Sequence, residues 1–218
     1  MAKRIHITAI ILAGGNSSRM GTDKGLIDMK GMKMIECVLQ NVKSLTNQIL
    51  VISNNPEYKA YGYPVCSDIH KNCGPLGGIH AGLTHSKTGW NMVVGCDLPY
   101  VTPGFLSFLI SNISDADAIV PVHGSFSEPL CALYNKSSLP KIESLLLRQE
   151  LKMQNLLKQL DSKFIEVPEE KFDAATIFRN INSPEDLTTK TQRSPRFTKN
   201  TFVLLSALSG LVAMFNFL

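Results

Sequence analysis

Ile5-His6-Ile7-Thr8-Ala9-Ile10-Ile11-Leu12-Ala13-Gly14-Gly15-Asn16-Ser17-Ser18-Arg19-Met20-Gly21-Thr22-Asp23-Lys24 is the stretch that decides the fold. Its first eight residues form a short, apolar, β-branched run that breaks into a glycine-rich loop. No cleavage-like site follows, so the run is expected to be a first strand and not a signal peptide. Downstream, short apolar runs at 48–52, 64–66, 91–96, 116–121, 129–134 and 163–167 read as strands. Helical spacing or helix-start chemistry appears at 34–45, 76–86 (opened by Gly74-Pro75), 103–111, 139–147 and 153–160, and Ser183 starts a short capped helix. Strands separated by helices predict βαβ units, hence an α/β protein with a mostly parallel sheet covered on both faces. In such sheets ligands sit beyond the carboxyl ends of the strands, so the residues immediately after each strand carry the information about function.

Composition narrows the class. The chain has 218 residues, 44% of them hydrophobic, which suits one domain and excludes a disordered or fibrous chain. The net charge of +4 is unevenly placed. Four basic residues (Lys190, Arg193, Arg196, Lys199) and no acidic one lie in 188–218, so residues 1–187 hold 18 of each sign. A neutral body has no electrostatic footprint for DNA or RNA, and no nucleic-acid partner is expected. The five cysteines (Cys37, Cys66, Cys73, Cys96, Cys131) form no C-x-x-C pair, which fits free thiols in a reducing cytoplasm.

The loop after the first strand combines Gly14, Gly15 and Gly21 with Arg19 and Lys24. Glycines let the backbone approach a ligand and leave amide N–H groups for anionic oxygens. A cation at each end makes this a polyphosphate site; a flexible loop with solvated charges is the alternative. The spacing is neither that of a Walker loop nor of a dinucleotide fingerprint. Asp97 ends the strand at 91–96, where one carboxylate suits Mg²⁺ when phosphates supply the other contacts. Taken alone, a turn or cap role fits it as well. Asp68 follows the third strand as a base or ribose contact or a solvated side chain. Gly77-Gly78 near a helix start suits either anion binding or tight packing on the sheet. His80 and His85 are five residues apart, poor spacing for a metal pair, and His70 and His123 are expected in loops. Cys96 should point into the core, away from Asp97. Ser17 and Ser18 lack a G-x-S-x-G elbow.

Together, Leu12-Ala13-Gly14-Gly15-x-Ser17-x-Arg19-Met20-Gly21-x-Asp23-Lys24 resembles the signature of the molybdenum cofactor guanylyltransferases, within the nucleotidyltransferase superfamily. Gly74-Pro75-Leu76-Gly77-Gly78-Ile79, Cys96-Asp97-Leu98-Pro99 and Asn180-Ile181-Asn182-Ser183-Pro184-Glu185-Asp186-Leu187 follow in the family's order, over about residues 5–187. Gly-Gly and the Asp before Lys favour the guanylyl branch over cytidylyl and uridylyl relatives. The resemblance implies a Rossmann-like three-layer αβα sandwich. It also implies transfer of a guanylyl group from GTP to molybdenum-bearing molybdopterin, with pyrophosphate released. Leu12, Ala13, Gly14, Gly15, Lys24, Asp68 and Asp97 would bind the nucleotide, with Mg²⁺ on Asp97, while Arg19, Lys24 and Asp97 would act in catalysis. Ser53 stands where many relatives carry Asn, with Asn54 and Asn55 as alternatives for that contact.

The first domain is expected to span 1–187, with the acceptor side at about 120–187 and Ser125–Leu130 its first loop of interest. Residues 188–218 read as a basic linker and a hydrophobic tail. The tail, 202–218, has 13 hydrophobic residues of 17 and no charge, at the short limit for a membrane anchor. An otherwise cytoplasmic enzyme with a weak membrane contact, and docking to molybdenum-insertion or molybdoenzyme-maturation proteins, complete the expectation. The competing functions are a related transferase using CTP or a sugar phosphate, and a non-catalytic nucleotide-binding scaffold.

Overall fold

The structure, a computed structural model, describes residues 6–14, 23–29, 31–181 and 186. Strand β1 (Ile7–Leu12) is buried along its whole length. Its side chains alternate between two cores. Ile7, Ala9 and Ile11, with Ala13 beyond, enter one core; Ile10 and Leu12 enter the other. Two covered faces explain why so little of the run is polar.

Helix α1 (Met34–Lys43) leads to β2 (Ile49–Ile52), a 3-10 turn at Pro56–Tyr61 and β3 (Val65–Cys66). Helix α2 (Gly74–His85) crosses back to β4 (Trp90–Gly95), on the other side of β1. Then come α3 (Pro103–Ser111), β5 (Ala118–His123), β6 (Phe126–Ser127), β7 (Cys131–Asn135), α4 (Leu139–Leu147), α5 (Met153–Gln159), β8 (Ser162–Glu166) and α6 (Ala174–Ile177). The sheet order is β3-β2-β1-β4-β7-β5-β6, with β8 on β5. β3, β2, β1 and β4 are mutually parallel, as are β5 and β8; β7 runs against both β4 and β5, and β6 against β5. α1 and α3 bury Ile35, Val38, Phe105 and Leu109 on one face, while α2, α4 and α5 bury Leu76, Ile79, Ile142 and Leu156 on the other. The three-layer α/β sandwich is therefore formed. Because the chain runs outward from β1 through β2 and β3 and then returns to β4, strand order reverses between β1 and β4, where a ligand crevice is expected.

α2 lies close to the sheet because Gly82 faces Ile10. A Cβ at Gly82 would fall 2.4 Å from Ile10 Cγ2 and 2.9 Å from its Cδ1. Gly82→Val is therefore expected to destabilise the fold by about 2–3 kcal/mol. That corresponds to a thermal midpoint lower by roughly 5–10 °C. Gly104→Ala, with nothing within 4 Å of its Cβ, is the control and should be neutral or slightly stabilising in the same melt.

Two expectations need correction. His123 is not in a loop: β5 runs two residues past the predicted end, and His123 is buried. Pro121 stays in register with Ile165, and its carbonyl accepts from the Glu128 N–H at 3.0 Å, so the strand continues through it. The segment 125–130, expected as a loop, contains β6 of a tight hairpin. The capped helix at 183 and the segment 188–218 lie outside the described residues. Among the described residues no helix is long and apolar enough to cross a membrane.

Candidate nucleotide site

A cleft of about 570 Å³ opens over the carboxyl ends of β1 and β2 and the N-terminus of α2, within the usual range for small-molecule sites. Leu12, Ile52 and Gly78 line its apolar part. A Cβ at Gly78 would lie 3.1 Å from Leu12 Cδ2 and 3.9 Å from Asp68 Oδ1, so glycine keeps this wall open. Gly74 and Pro75, the first turn of the 12-residue α2, form another part of the wall and bring partial positive charge to it.

Asp68 stands at the rim in a reciprocal pair with Asn54. The Asn54 Nδ2 donates to Asp68 Oδ2 at 3.0 Å, and the Asp68 N–H donates to Asn54 Oδ1 at 3.3 Å. The three residues after β2 thus have separate roles. Ser53 is buried, and its Oγ accepts from the Asn55 N–H at 3.1 Å. Asn54 holds Asp68. The Asn55 Oδ1 caps the following turn by accepting from the Glu57 N–H, while its Nδ2 donates to Asp23 Oδ2 at 3.4 Å. Leu12 and Gly14 line the cleft; Ala13 between them is fully buried, and its N–H donates to the Ile52 carbonyl at 2.9 Å. Gly15 and Arg19 lie outside the described residues.

Asp97 sits two residues past β4, half-buried, with its carboxylate turned back over Gly95: a Cβ there would meet Asp97 Oδ1 at 2.5 Å. Its carbonyl accepts from the Ile181 N–H at 3.1 Å, which ties the segment before Asn182 to this turn. The preceding Cys96 points into the core formed with α1 and α3, as alternation requires. Burial holds its thiol well above the usual range; the Asp97 and Asp23 carboxylates push it further up, and Lys24 pulls the other way. Cys96 is therefore a protonated core thiol and no nucleophile. Lys24 after β1 and Asp97 after β4 thus both act electrostatically on one thiol, and the turn that begins at Lys24 packs against it, since a Cβ at Gly25 would lie 3.3 Å from Cys96 Sγ. Asp68 lies on the β3 side of the cleft.

Among the described residues no three His, Cys, Asp or Glu side chains cluster as a metal cage. Asp97 as a single hard carboxylate suits a divalent ion that keeps waters and binds phosphates. Asp23 fits that role poorly, because its oxygens already accept from the Tyr58 hydroxyl, the Gly25 N–H and Asn55. The His80 Nε2 lies 3.4 Å from Glu143 Oε1 on α4, and burial lowers its pKa. Sequence reasoning missed the buried His123–Glu128 pair, 2.8 Å apart, with the His123 ring stacked on Phe178. It also missed the partners of Asp23. Asp23 itself was visible in the opening motif; Tyr58, 35 residues away, was not.

A cleft at the carboxyl ends of β1 and β2, next to the strand-order reversal, is where α/β proteins of this architecture bind their ligands. The family model described as the MobA-like NTP transferase domain matches residues 9–164. A probable molybdenum cofactor guanylyltransferase of Natranaerobius thermophilus is 35% identical over 193 residues, 84% of this chain and 93% of that protein. The molybdenum cofactor guanylyltransferase of Vibrio campbellii is 37% identical over 183 residues, 82% of this chain and 91% of the relative. The crystal structure of molybdopterin-guanine dinucleotide biosynthesis protein A from Archaeoglobus fulgidus superposes with a TM-score of 0.72 at 31% identity, covering 84% of this chain and 96% of that one. The chain belongs to the MobA-like nucleotidyltransferases, among the molybdenum cofactor guanylyltransferases.

Proposed function

We propose that this protein joins GTP to molybdenum-bearing molybdopterin. A phosphate oxygen of the acceptor attacks the α-phosphorus of GTP in line; the new P–O bond forms as the bond to the β-phosphate breaks, and pyrophosphate leaves. The observation that carries this reading is the cleft of about 570 Å³ at the carboxyl ends of β1 and β2, lined by Leu12, Gly14 and Asp68 and also by Asp23, the residue before Lys24.

Two anions must approach each other in this step, so catalysis consists of positioning and charge neutralisation. In this reading the backbone from Leu12 through Ala13 and Gly14 to Gly15 follows the nucleotide, Asp68 contacts it from the rim, and Lys24 and Arg19 stabilise charge developing on the phosphates. Enzymes of this class usually use a divalent metal, and Asp97 would hold Mg²⁺. When bound, Mg²⁺ would polarise the phosphate oxygens and neutralise their charge. No covalent nucleophile is required, consistent with the protonated state of Cys96. Residues 120–187 shape the acceptor side. A cytoplasmic location, docking to molybdenum-insertion or molybdoenzyme-maturation proteins and a membrane contact through 202–218 belong to the same proposal. The tail's composition supports the membrane contact.

Pyrophosphate release measured with GTP, CTP and UTP in the presence of molybdopterin tests the reading. GTP is expected to be preferred by about 100-fold or more in kcat/KM, the scale that hydrogen-bonded discrimination provides. A preference for CTP would move the protein to a cytidylyl transfer. Absence of turnover with all three, alongside retained GTP binding, would make it a scaffold.

A further inference from the structure

We infer that Asp23, Tyr58 and Asn55 form a latch that positions Lys24 for the transfer step, Asp23 being a positioning residue and not a ligand of metal or substrate. The inference rests on the role given to Lys24 above.

The latch joins segments that are distant in sequence. The Tyr58 hydroxyl donates to Asp23 Oδ1 at 2.5 Å, and the Gly25 N–H donates to the same oxygen at 3.2 Å. The Asn55 Nδ2 donates to Oδ2 at 3.4 Å. Asp23 caps the 3-10 turn Lys24–Leu26, so whatever fixes its carboxylate fixes the start of that turn and the backbone from which the Lys24 side chain springs. Tyr58 is a rigid anchor: its side chain is fully buried in the core beneath α1 and α3. Burial and the adjacent Asp23 carboxylate keep its hydroxyl protonated, hence a permanent donor. Asn55 is held in turn by its own bond to the Glu57 N–H.

Gly25 supplies a second, independent observation. A Cβ there would lie 2.3 Å from the Tyr58 hydroxyl and 3.3 Å from Cys96 Sγ. The turn is therefore pressed against both the latch and the Cys96 thiol, and no side chain at position 25 is compatible with that approach. A loop that merely needed flexibility would not be packed this closely at its C-terminal end. The geometry ties the backbone at Lys24 to a buried phenol instead of leaving it to a solvated loop.

The test is a double-mutant cycle on guanylyl transfer, with thermal melts to confirm folding. Tyr58→Phe alone should lower kcat by about 10- to 100-fold, the scale of an ångström-sized misplacement, with a smaller change in KM for GTP. In a Lys24→Ala background the same substitution should change the residual turnover by less than about twofold, because its route is already gone. A second arm exchanges the latch's polarity. Asp23→Asn sets two amide donors against each other and should impair turnover. Adding Asn55→Asp restores one donor and one acceptor, leaves an oxygen for the Glu57 cap, and should return kcat to within about threefold of wild type. An undiminished Tyr58→Phe effect in the Lys24→Ala background, or an Asp23→Asn/Asn55→Asp protein as poor as Asp23→Asn, overturns the latch. Near-normal transfer by Lys24→Ala alone overturns the role of Lys24 itself, which separates the two failures.

Discussion

Asp97→Ala is expected to lower guanylyl transfer by about 10³-fold or more, about 4 kcal/mol of transition-state stabilisation, while the thermal midpoint stays within about 4 °C of wild type. The two effects separate because three main-chain bonds hold this turn independently of the Asp97 side chain. The Cys96 N–H donates to the Leu12 carbonyl at 3.0 Å, the Leu98 N–H to the Gly95 carbonyl at 3.2 Å and the Ile181 N–H to the Asp97 carbonyl at 3.1 Å, and all three survive truncation of the side chain. What disappears is a carboxylate at the strand reversal whose charge reaches the Cys96 sulfur. Asp23 is no substitute, since its oxygens are committed to Tyr58, Gly25 and Asn55, and Asp68 is paired with Asn54 at the rim. Asp97→Asn keeps the shape and removes the charge, so an equal loss in that variant assigns the effect to charge. Pyrophosphate release and a thermal melt of the same preparations provide both readouts. Near-wild-type turnover by Asp97→Ala would remove the proposed metal-holding role.

The opening strand shows what was legible in the sequence and why. Ile7 through Leu12 is buried on both faces, which is why its near-continuous apolar run, without a cleavage-like site after it, was legible as a strand. α3 and α4 matched their predicted limits, because Pro near the first turn marks a helix start in each. α6, four residues long, is too short to show a period. Around the site, legibility followed chain distance. Residues immediately after a strand were identified because topology alone sends them to one end of the sheet. Leu12, Gly14 and Asp68 line the cleft, and the charges of Lys24 and Asp97 both reach the Cys96 thiol. What the sequence could not assign were hydrogen bonds across tens of residues. Asn54 and Asn55 are adjacent and chemically identical, yet one holds Asp68 and the other Asp23, and only the direction each side chain takes distinguishes them. Gly77-Gly78 left two readings open. Gly78 keeps the cleft wall clear, whereas at Gly77 a Cβ would lie 2.9 Å from Cys73 Cβ and 3.1 Å from the His70 carbonyl oxygen, so glycine there serves helix-start packing.

Lys24→Ala is expected to reduce kcat by about 10²- to 10³-fold, the cost of losing one preorganised charge partner of a transition state. The kinetic parameter that falls distinguishes two roles. A lysine that held the triphosphate equally well before and during the reaction would raise KM and spare kcat. The structure argues for the other case. Lys24 belongs to a turn packed on Cys96, and its charge acts on that thiol together with those of Asp97, the proposed metal-holding carboxylate, and Asp23. Charge that accumulates on the phosphates as the α–β bond breaks would be shared between these neighbours. Removing the ammonium also leaves the Asp23 and Asp97 carboxylates without one of their compensating charges, which adds repulsion toward an incoming polyphosphate. Lys24→Arg restores the charge but replaces a compact ammonium with a planar fork. It should recover part of kcat, to a value between those of Lys24→Ala and wild type. Equal turnover in Lys24→Arg and Lys24→Ala would mean that geometry and not charge limits the step. A KM increase with unchanged kcat in Lys24→Ala would confine this residue to binding GTP.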